Sequence, residues 1–347
     1  MRAVAFRKRL FRKKYREVMI VKKKLAVILS VLLVLALAGC GSSSDRIRFG
    51  AAALGGGYHA LGDTIANLVN TDDSKYELEV KTTAGSAANL RLLSDDYVQL
   101  AIAQADMIND AYYGEGSYKD KKYQGYSAVA ALYTEACQVV VRADSGITSI
   151  DDLQGKKVST GEKESGTEQN AKQILSVYGL GDGLVDTVNL DYSGAAQALQ
   201  DGEIDGFFCT AGIQTTVIDE LSKQCEIRVL DLDQKNIDKL LKAYDFYTAY
   251  EIPEGTYKGQ DEAVKTVGVK AVLLAGDKLS AQTVEDITKL LFDNRQELQY
   301  SLPVDITLEE KTSTEGITIP FHEGAAKYYE SCGMDVTTEK GGQSESK

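Results

Sequence analysis

From position 46 onward the chain alternates between two hydrophobic rhythms. Segments 46–49, 76–81 and 98–102 place apolar residues at every second position or in short buried runs, as strands do. Segments 58–69 and 86–93 place them every three to four positions, as helices do, with Leu61, Ile65, Leu68 and Val69 on one face of the first. A fourth strand is predicted near 128–132. The rhythm resumes with strands at 138–141, 157–159, 185–190, 204–208 and 226–230, and with helices at 166–178, 195–199 and 216–223. A last stretch predicts a helix at 234–242, a strand at 267–274 and a long helix at 281–298, where Val284, Ile287, Leu291 and Leu298 share a face. Such βαβα alternation argues for a mostly parallel, layered sheet. It fits one large α/β domain, or two lobes with the middle block inserted into the other.

The first 40 residues follow a different rule. Residues 1–24 hold eleven Lys or Arg and one acid, Glu17, followed by a 14-residue apolar run, 25–38, and then Gly39-Cys40. A basic start, a short apolar run and small residues before a break make a secretory signal. The run is too short to span a bilayer comfortably, which takes about 20 residues. Leu37-Ala38-Gly39-Cys40 resembles a bacterial lipobox, which implies cleavage after residue 39 and a lipid on Cys40. Residues 41–45 read as a tether and 335–347, polar and glycine-bearing, as a disordered tail.

Charge narrows the partners. The chain carries −12 at neutral pH, and losing a leader of net +10 leaves −22. Such a surface repels nucleic-acid backbones and anionic lipid. The remaining cysteines, Cys137, Cys209, Cys225 and Cys332, match no metal spacing and read mainly as buried thiols. Catalytic signatures are lacking: there are two histidines, His59 and His322, no Gly-x-Ser-x-Gly elbow, no phosphate loop and no dinucleotide spacing of glycines. No metal or cofactor is expected.

One unit recurs: a strand end, a loop of small residues and a helix start. It occurs at Gly55-Gly56-Gly57-Tyr58, at Gly85-Ser86-Ala87-Ala88-Asn89 and at Glu164-Ser165-Gly166-Thr167-Glu168. Each places unpaired backbone N–H groups where the helix dipole favours an anion. In open α/β sheets such loops lie at the carboxyl ends of strands, where ligands bind. The competing reading makes Ser86 and Ser165 plain N-caps and the glycines plain turns. Gln104 and Asp106 follow a strand end, and Tyr58, Tyr133 and Tyr192 are candidate cleft walls among 19 tyrosines. His59 reads as a surface helix start.

In order along the chain, Ala53-Leu54-Gly55-Gly56-Gly57-Tyr58, Thr83-Ala84-Gly85-Ser86-Ala87-Ala88-Asn89-Leu90, Leu100-Ala101-Ile102-Ala103-Gln104-Ala105-Asp106, Leu132-Tyr133-Thr134-Glu135, Gly161-Glu162-Lys163-Glu164-Ser165-Gly166-Thr167 and Leu199-Gln200-Asp201-Gly202-Glu203-Ile204-Asp205-Gly206 resemble the TAXI family of TRAP transporter solute receptors. The resemblance covers about 46–298. It implies a type II periplasmic-binding fold: two α/β lobes joined by two crossing strands, with a ligand cleft between them. Lobe 1 would hold 46–135 and 231–334, and lobe 2 would hold 136–230. It further implies a non-enzymatic, extracytoplasmic receptor for a small carboxylate, such as glutamate or a related dicarboxylate, working with a TRAP membrane subunit. A receptor serving an ABC transporter or a sensor kinase, or an exported enzyme on the same fold, are the alternatives. Carried over by motif, the ligand-binding positions would be Gly57, Tyr58, Ser86, Asn89, Gln104, Ser165, Gly166 and Thr167. Two departures, His59 and Ile213-Gln214, sit where the family commonly has an aromatic and a Gly-x-Pro turn.

Overall fold

The computed structural model describes residues 45–71, 75–181, 183–301 and 308–338. The leader, Cys40, residues 41–44 of the tether and the tail beyond 338 lie outside the described residues.

Two α/β lobes are joined by two long antiparallel strands, as the resemblance implies. The first lobe is built from β1 (Asp45–Gly50), α1 (Gly57–Val69), β2 (Tyr76–Lys81), α2 (Ser86–Ser94), β3 (Leu100–Gln104) and α3 (Ala105–Tyr113). Then β4 (Tyr126–Arg142) crosses into the second lobe. That lobe holds β5 (Lys157–Ser159), α4 (Gly166–Val177), β6 (Asp186–Val188), α5 (Tyr192–Gln200), β7 (Gly206–Ala211), α6 (Thr216–Gln224), β8 (Ile227–Val229), α7 (Gln234–Ala243) and β9 (Thr248–Ile252). The return strand is β10 (Val264–Gly276), followed by α8 (Ala281–Asp293), α9 (Arg295–Ser301) and α10 (Glu323–Ser331).

The strands run β2-β1-β3-β10-β4-β7-β5-β6, with β8 beside β4 and β9 beside β10. β1 and β3 are parallel, as are β5 with β6 and with β7, while β10 is antiparallel to both β3 and β4. Segments 128–132 and 138–141, separate strands by sequence pattern, form one 17-residue strand. Thr134 and Glu135 interrupt the apolar pattern between them, but the backbone does not turn there. It passes from pairing with β10 to pairing with β7, with Ala136 opposite both Gly268 and Ala211.

Alternation along β4 and β7 builds the second lobe's two faces. Cys137, Val139, Val141 and Phe208 join one buried cluster; Ala136, Val140, Phe207 and Cys209 join another. Both faces are thus covered, as a sheet with parallel strands requires. These clusters also fix the lobe boundary. Leu232, Ile237, Leu240 and Tyr247 pack with the second lobe, as do Ile252, Tyr257, Val264, Val267 and Val269. Segment 231–269 therefore belongs to lobe 2, not to lobe 1 as the sequence reading had it, and the chain re-enters lobe 1 only near Ala271. The missed strand β9, which pairs with β10 over Thr248–Ile252, carries this error, because its short and largely exposed pattern conceals it.

Three further differences have local causes. The helix expected at 281–298 breaks at Asn294, whose side-chain amide donates to the Leu290 carbonyl and ends α8. The tail expected to be disordered from 335 is anchored at its start: Phe321 N–H donates to the Thr337 carbonyl at 2.8 Å, and Met334 and Val336 pack on the first-lobe core. Cys137 and Cys209 are buried free thiols, but Cys225 is half-buried and Cys332 exposed. Among the described residues no helix is long and apolar enough to cross a membrane.

Asn89, expected to bind ligand, is a structural tie. It is fully buried in α2, and its amide donates to the carbonyls of Gly50 and Ala51, at the end of β1, and of Ile102, in the middle of β3. Its oxygen accepts from the Thr83 hydroxyl at 2.7 Å. The Thr83 hydroxyl shares the Ala51 carbonyl at 2.8 Å, so hydroxyl and amide together tie the end of β1 to β3. We therefore expect Asn89→Ala to lower unfolding free energy by about 2–4 kcal/mol, measured by urea denaturation, while the folded fraction keeps its solute affinity. Lost binding with unchanged stability would return Asn89 to the ligand set.

Candidate functional site

The cleft between the lobes is where the recurring loops meet. The cavity there is small, about 50 Å³, and lies between Gly56, Gly57, Tyr58, Gly85, Ser86 and Gln104 of the first lobe and Ser165, Gly166, Thr167 and Tyr192 of the second. Glu135 lies on the floor, where β4 passes from one lobe to the other. Of the eight positions carried over by motif, seven line this space and Asn89 does not.

Helix starts dominate the lining. α1, α2, α3, α4 and α5 begin after Gly56, Gly85, Gln104, Ser165 and Asp191, and all five of those residues border the cleft. The sequence reading found three of the five. The other two were hidden because α3 follows β3 with no loop between them, and because Asp191-Tyr192 lacks the glycines that marked the rest. Gly85 needs its glycine: its φ of 114° is in a region other residues avoid.

The donors are used in different ways. Gly56 brings no side-chain cap, so the first N–H groups of α1 face the cleft. Ala87 and Ala88 N–H in α2 donate at 3.1 and 3.3 Å to the Glu164 carbonyl of the opposite lobe. Glu164 adopts φ 66°, a strained conformation for a residue with a side chain, and so its carbonyl reaches across. Arg91 reinforces this clasp with an exposed ion pair to Glu164 at 3.1 Å. The α2 start thus holds lobe to lobe.

Ser165 is a helix cap, the plainer of its two readings. Its hydroxyl accepts from Glu168 N–H at 3.1 Å, and the Glu168 carboxylate reaches back to Glu164 N–H at 3.0 Å. Thr167 is buried and interlocks the second lobe, bonding the Tyr192 hydroxyl at 2.7 Å and accepting from Thr210 N–H at 3.3 Å. Ser86 is buried and accepts from Gln104 N–H at 3.1 Å. Gly166 is a contact point between lobes: a Cβ there would lie 2.1 Å from Gln104 Oε1. Under Gly57 lies the Tyr133 hydroxyl, 2.6 Å from where a Cβ would be. His59 sits outside the lining, its ring nitrogens meeting Asp63 and Thr82.

Sequence reasoning missed the acids. Glu135, Glu162 and Asp191 border the cleft, and among the described residues no Lys, Arg or His does. Glu135 is 3% exposed and accepts from the Tyr58 hydroxyl at 2.6 Å. Burial raises its carboxyl to about 8, although the Tyr58 and Gln104 side chains partly offset that rise. A signal was present: Glu135 is the one acidic residue in the apolar stretch 126–141, and lone acids are rarely buried without a task.

Behind the cleft a second buried carboxyl spans the lobes. Asp106 Oδ2, on α3, accepts from Asn170 Nδ2, on α4, at 3.2 Å, and Asn170 Nδ2 also donates to the Tyr247 hydroxyl. Asp106 Oδ1 and Asn170 Oδ1, both acceptors, are buried without partners among the described residues. Burial raises Asp106 to about 7 against the opposing effect of the Met107 backbone N–H, and Asp110 adds a smaller push upward. Glu135, Tyr118, Cys137 and Tyr247 also face it, and none is a cation.

A carboxyl raised on folding keeps a proton that the unfolded chain releases near pH 4. Its stabilising contribution is therefore complete below about pH 4 and is lost as pH rises toward 7. We expect Asp106→Asn, a permanently neutral stand-in, to flatten that part of the decline, read as melting temperature from pH 5 to 8. Parallel wild-type and variant curves would show that Asp106 does not titrate in this window.

Solved structures with a similar course of chain include the periplasmic aliphatic sulphonate binding protein SsuA from Escherichia coli, 15% identical, covering 85% of this chain and 96% of that one, at a TM-score of 0.45. The alkanesulfonate-binding protein SsuA from Xanthomonas axonopodis pv. citri, bound to MOPS, is 12% identical and covers 83% and 90%, at 0.46. A TctC solute binding protein from Polaromonas is 14% identical and covers 76% and 91%, at 0.43. Residues 49–333, which hold both lobes and every residue bordering the cleft, match the NMT1-like family, and the chain belongs to it.

Proposed function

We propose that the protein is an extracytoplasmic receptor that binds a small carboxylate-bearing solute between its lobes and passes it to a membrane transporter. The observation that carries this reading is the convergence of five helix N-termini, from both lobes, on one cleft. An oxygen anion placed there meets backbone donors from several directions without any cationic side chain. Each helix end contributes about 0.3–1 kcal/mol, and up to about 2 kcal/mol when partly buried. With the α2 start spent on Glu164 and the α4 and α5 starts partly capped by Ser165 and Asp191, the helix ends supply only part of the roughly 8 kcal/mol of micromolar binding, and lobe closure, by excluding water, supplies much of the rest. The proposed guest is small, such as glutamate or a related dicarboxylate, and enters when the lobes part, because the cavity of about 50 Å³ is too tight for it as it stands.

In this proposal the partner is a TRAP-type membrane subunit and the receptor a TAXI-type one, on the strength of the ordered motifs between Ala53 and Gly206. Cys40 carries the lipid that holds the receptor at the outer face of the cell membrane. In this reading the protein acts by binding rather than catalysis: helix starts, tyrosines and protonatable acids line the cleft, and the Ser86, Ser165 and Thr167 hydroxyls there are engaged in structural hydrogen bonds.

Gly166 offers a direct test, because it contacts Gln104 only across the lobe boundary. Gly166→Ala places a better helix former at the first position of α4 but presses on Gln104 in the lobe arrangement described, so the fold of each lobe should hold while the Gln104 side chain or the lobe contact gives way. Closure should be obstructed, and solute affinity in calorimetry should fall at least tenfold. Unchanged affinity would mean that the solute does not bind between closed lobes. Ser165→Ala should instead cost about 1 kcal/mol of unliganded stability, as a lost cap does. An unaltered melt with weakened binding would place its hydroxyl on the solute.

A further inference from the structure

The crossing strands carry a second cavity, on the face turned away from the cleft. Neighbours along a strand point to opposite sides. Glu135 of β4 borders the cleft, so Thr134 faces the other way, where it pairs directly across the ladder with Lys270 of β10. Around these two lies a space of about 240 Å³, bordered also by Leu132, Tyr250 and Thr312. It shares no lining residue with the smaller cavity of the cleft. Gly268 makes the room: a Cβ there would lie 2.6 Å from Thr134 Cγ2 and 3.3 Å from Tyr250 Cδ2. A side chain at that position would fill the hollow and push Tyr250 aside.

The hollow is arranged around one cation. Lys270 Nζ donates to the carbonyls of Thr312 at 3.2 Å and Glu315 at 3.0 Å, and among the described residues it meets no carboxylate at ion-pair distance. Lys81, Lys172, Lys223, Lys278 and Lys289 all do meet one on this acidic surface. Burial draws the Lys270 ammonium below its ordinary pKa, and the more distant charge of Glu315 opposes that fall. An ammonium has three hydrogens, so one is left after the two carbonyl bonds. The Thr134 hydroxyl beside it has no protein partner among the described residues. Pinning segment 312–315 to β10 explains the carbonyl bonds. It does not explain the third hydrogen, the hydroxyl and the space left between them.

We propose that this hollow is a second binding site, for a small oxyanion of the phosphate or sulfate type held by Lys270 Nζ and Thr134 Oγ1, with the Tyr250 ring as a wall. The position gives such an ion a mechanical effect. Thr312 belongs to the segment that packs on the first-lobe core through Leu308 and Ile319, and Tyr250 packs on a second-lobe cluster. Thr134 and Lys270 sit on the strands that join the two. When the lobes part about those strands, the cleft widens and the opposite side narrows. An ion lodged on that side resists the narrowing and favours closed lobes. This coupling rests on the receptor reading above, and it is reciprocal: the oxyanion tightens the solute, and the solute tightens the oxyanion.

Scanning calorimetry of the lipid-free protein reads the site itself, with inorganic phosphate exchanged for chloride at constant ionic strength. The melting temperature should rise to a plateau, and the rise should vanish in Lys270→Met and shrink in Thr134→Val. A rise that never saturates, or that persists in Lys270→Met, overturns the site. If Lys270→Met does not fold, Thr134→Val decides, and an unchanged phosphate response in it is the contrary result. Titration of a cleft-binding solute with and without phosphate reads the coupling: solute affinity should increase at least about fivefold, and only where Lys270 is kept. Phosphate that weakens the solute is competing within the cleft, which also overturns the proposal. A saturable, Lys270-dependent rise with unchanged solute affinity keeps the site and removes its coupling to closure. Failure to find any cleft-binding solute counts against the receptor reading, and the melting series still decides the site.

Discussion

Helix N-termini carry N–H groups that the helix itself cannot satisfy, and this protein collects five of them around one space. Everything else in the architecture serves that collection. Parallel strands put the following helix starts at the same sheet edge. Two such sheets, one in each lobe, then bring their edges face to face because β4 and β10 continue from one into the other. The donors are backbone atoms, so their directions are fixed by the fold and not by side-chain rotamers.

Convergence carries a cost that the structure meets in two ways. Unpaired donors facing each other are poorly matched to bring lobes together, so one helix start is diverted: α2 binds the Glu164 carbonyl and becomes a clasp. Glu164 holds a left-handed backbone to make this possible. The acids are handled by burial. Glu135 and Asp106 are raised far enough to be largely or partly neutral near pH 7, so that the region between the lobes does not accumulate negative charge. A chain whose body carries an excess of acidic residues has reason to neutralise those it buries.

Much of this was legible in residue order. The alternation of rhythms gave the layered α/β class, and small-residue loops marked three helix starts that do meet. What was not legible came from long-range pairing. Thr134 and Glu135 look like a break between strands, yet β4 runs straight through them, because pairing with β10 on one side and β7 on the other is set by tertiary contact. β9 has an exposed pattern, and without it segment 231–269 cannot be assigned to the second lobe. Asn89 and Ser165 matched the site motif by type, but their partners are Gly50, Ala51, Ile102 and Glu168, all within their own lobes. Motif identity does not separate a residue that touches the guest from one that positions the loop.

The central claim is that helix starts of both lobes act on one guest. Backbone hydrogen–deuterium exchange, with and without a saturating solute found by calorimetry, examines it residue by residue. The account requires slowed exchange at the same time around Gly57-Tyr58 in one lobe and around Gly166-Thr167 and Tyr192 in the other. Slowing confined to a single lobe, or centred away from these turns, would contradict it.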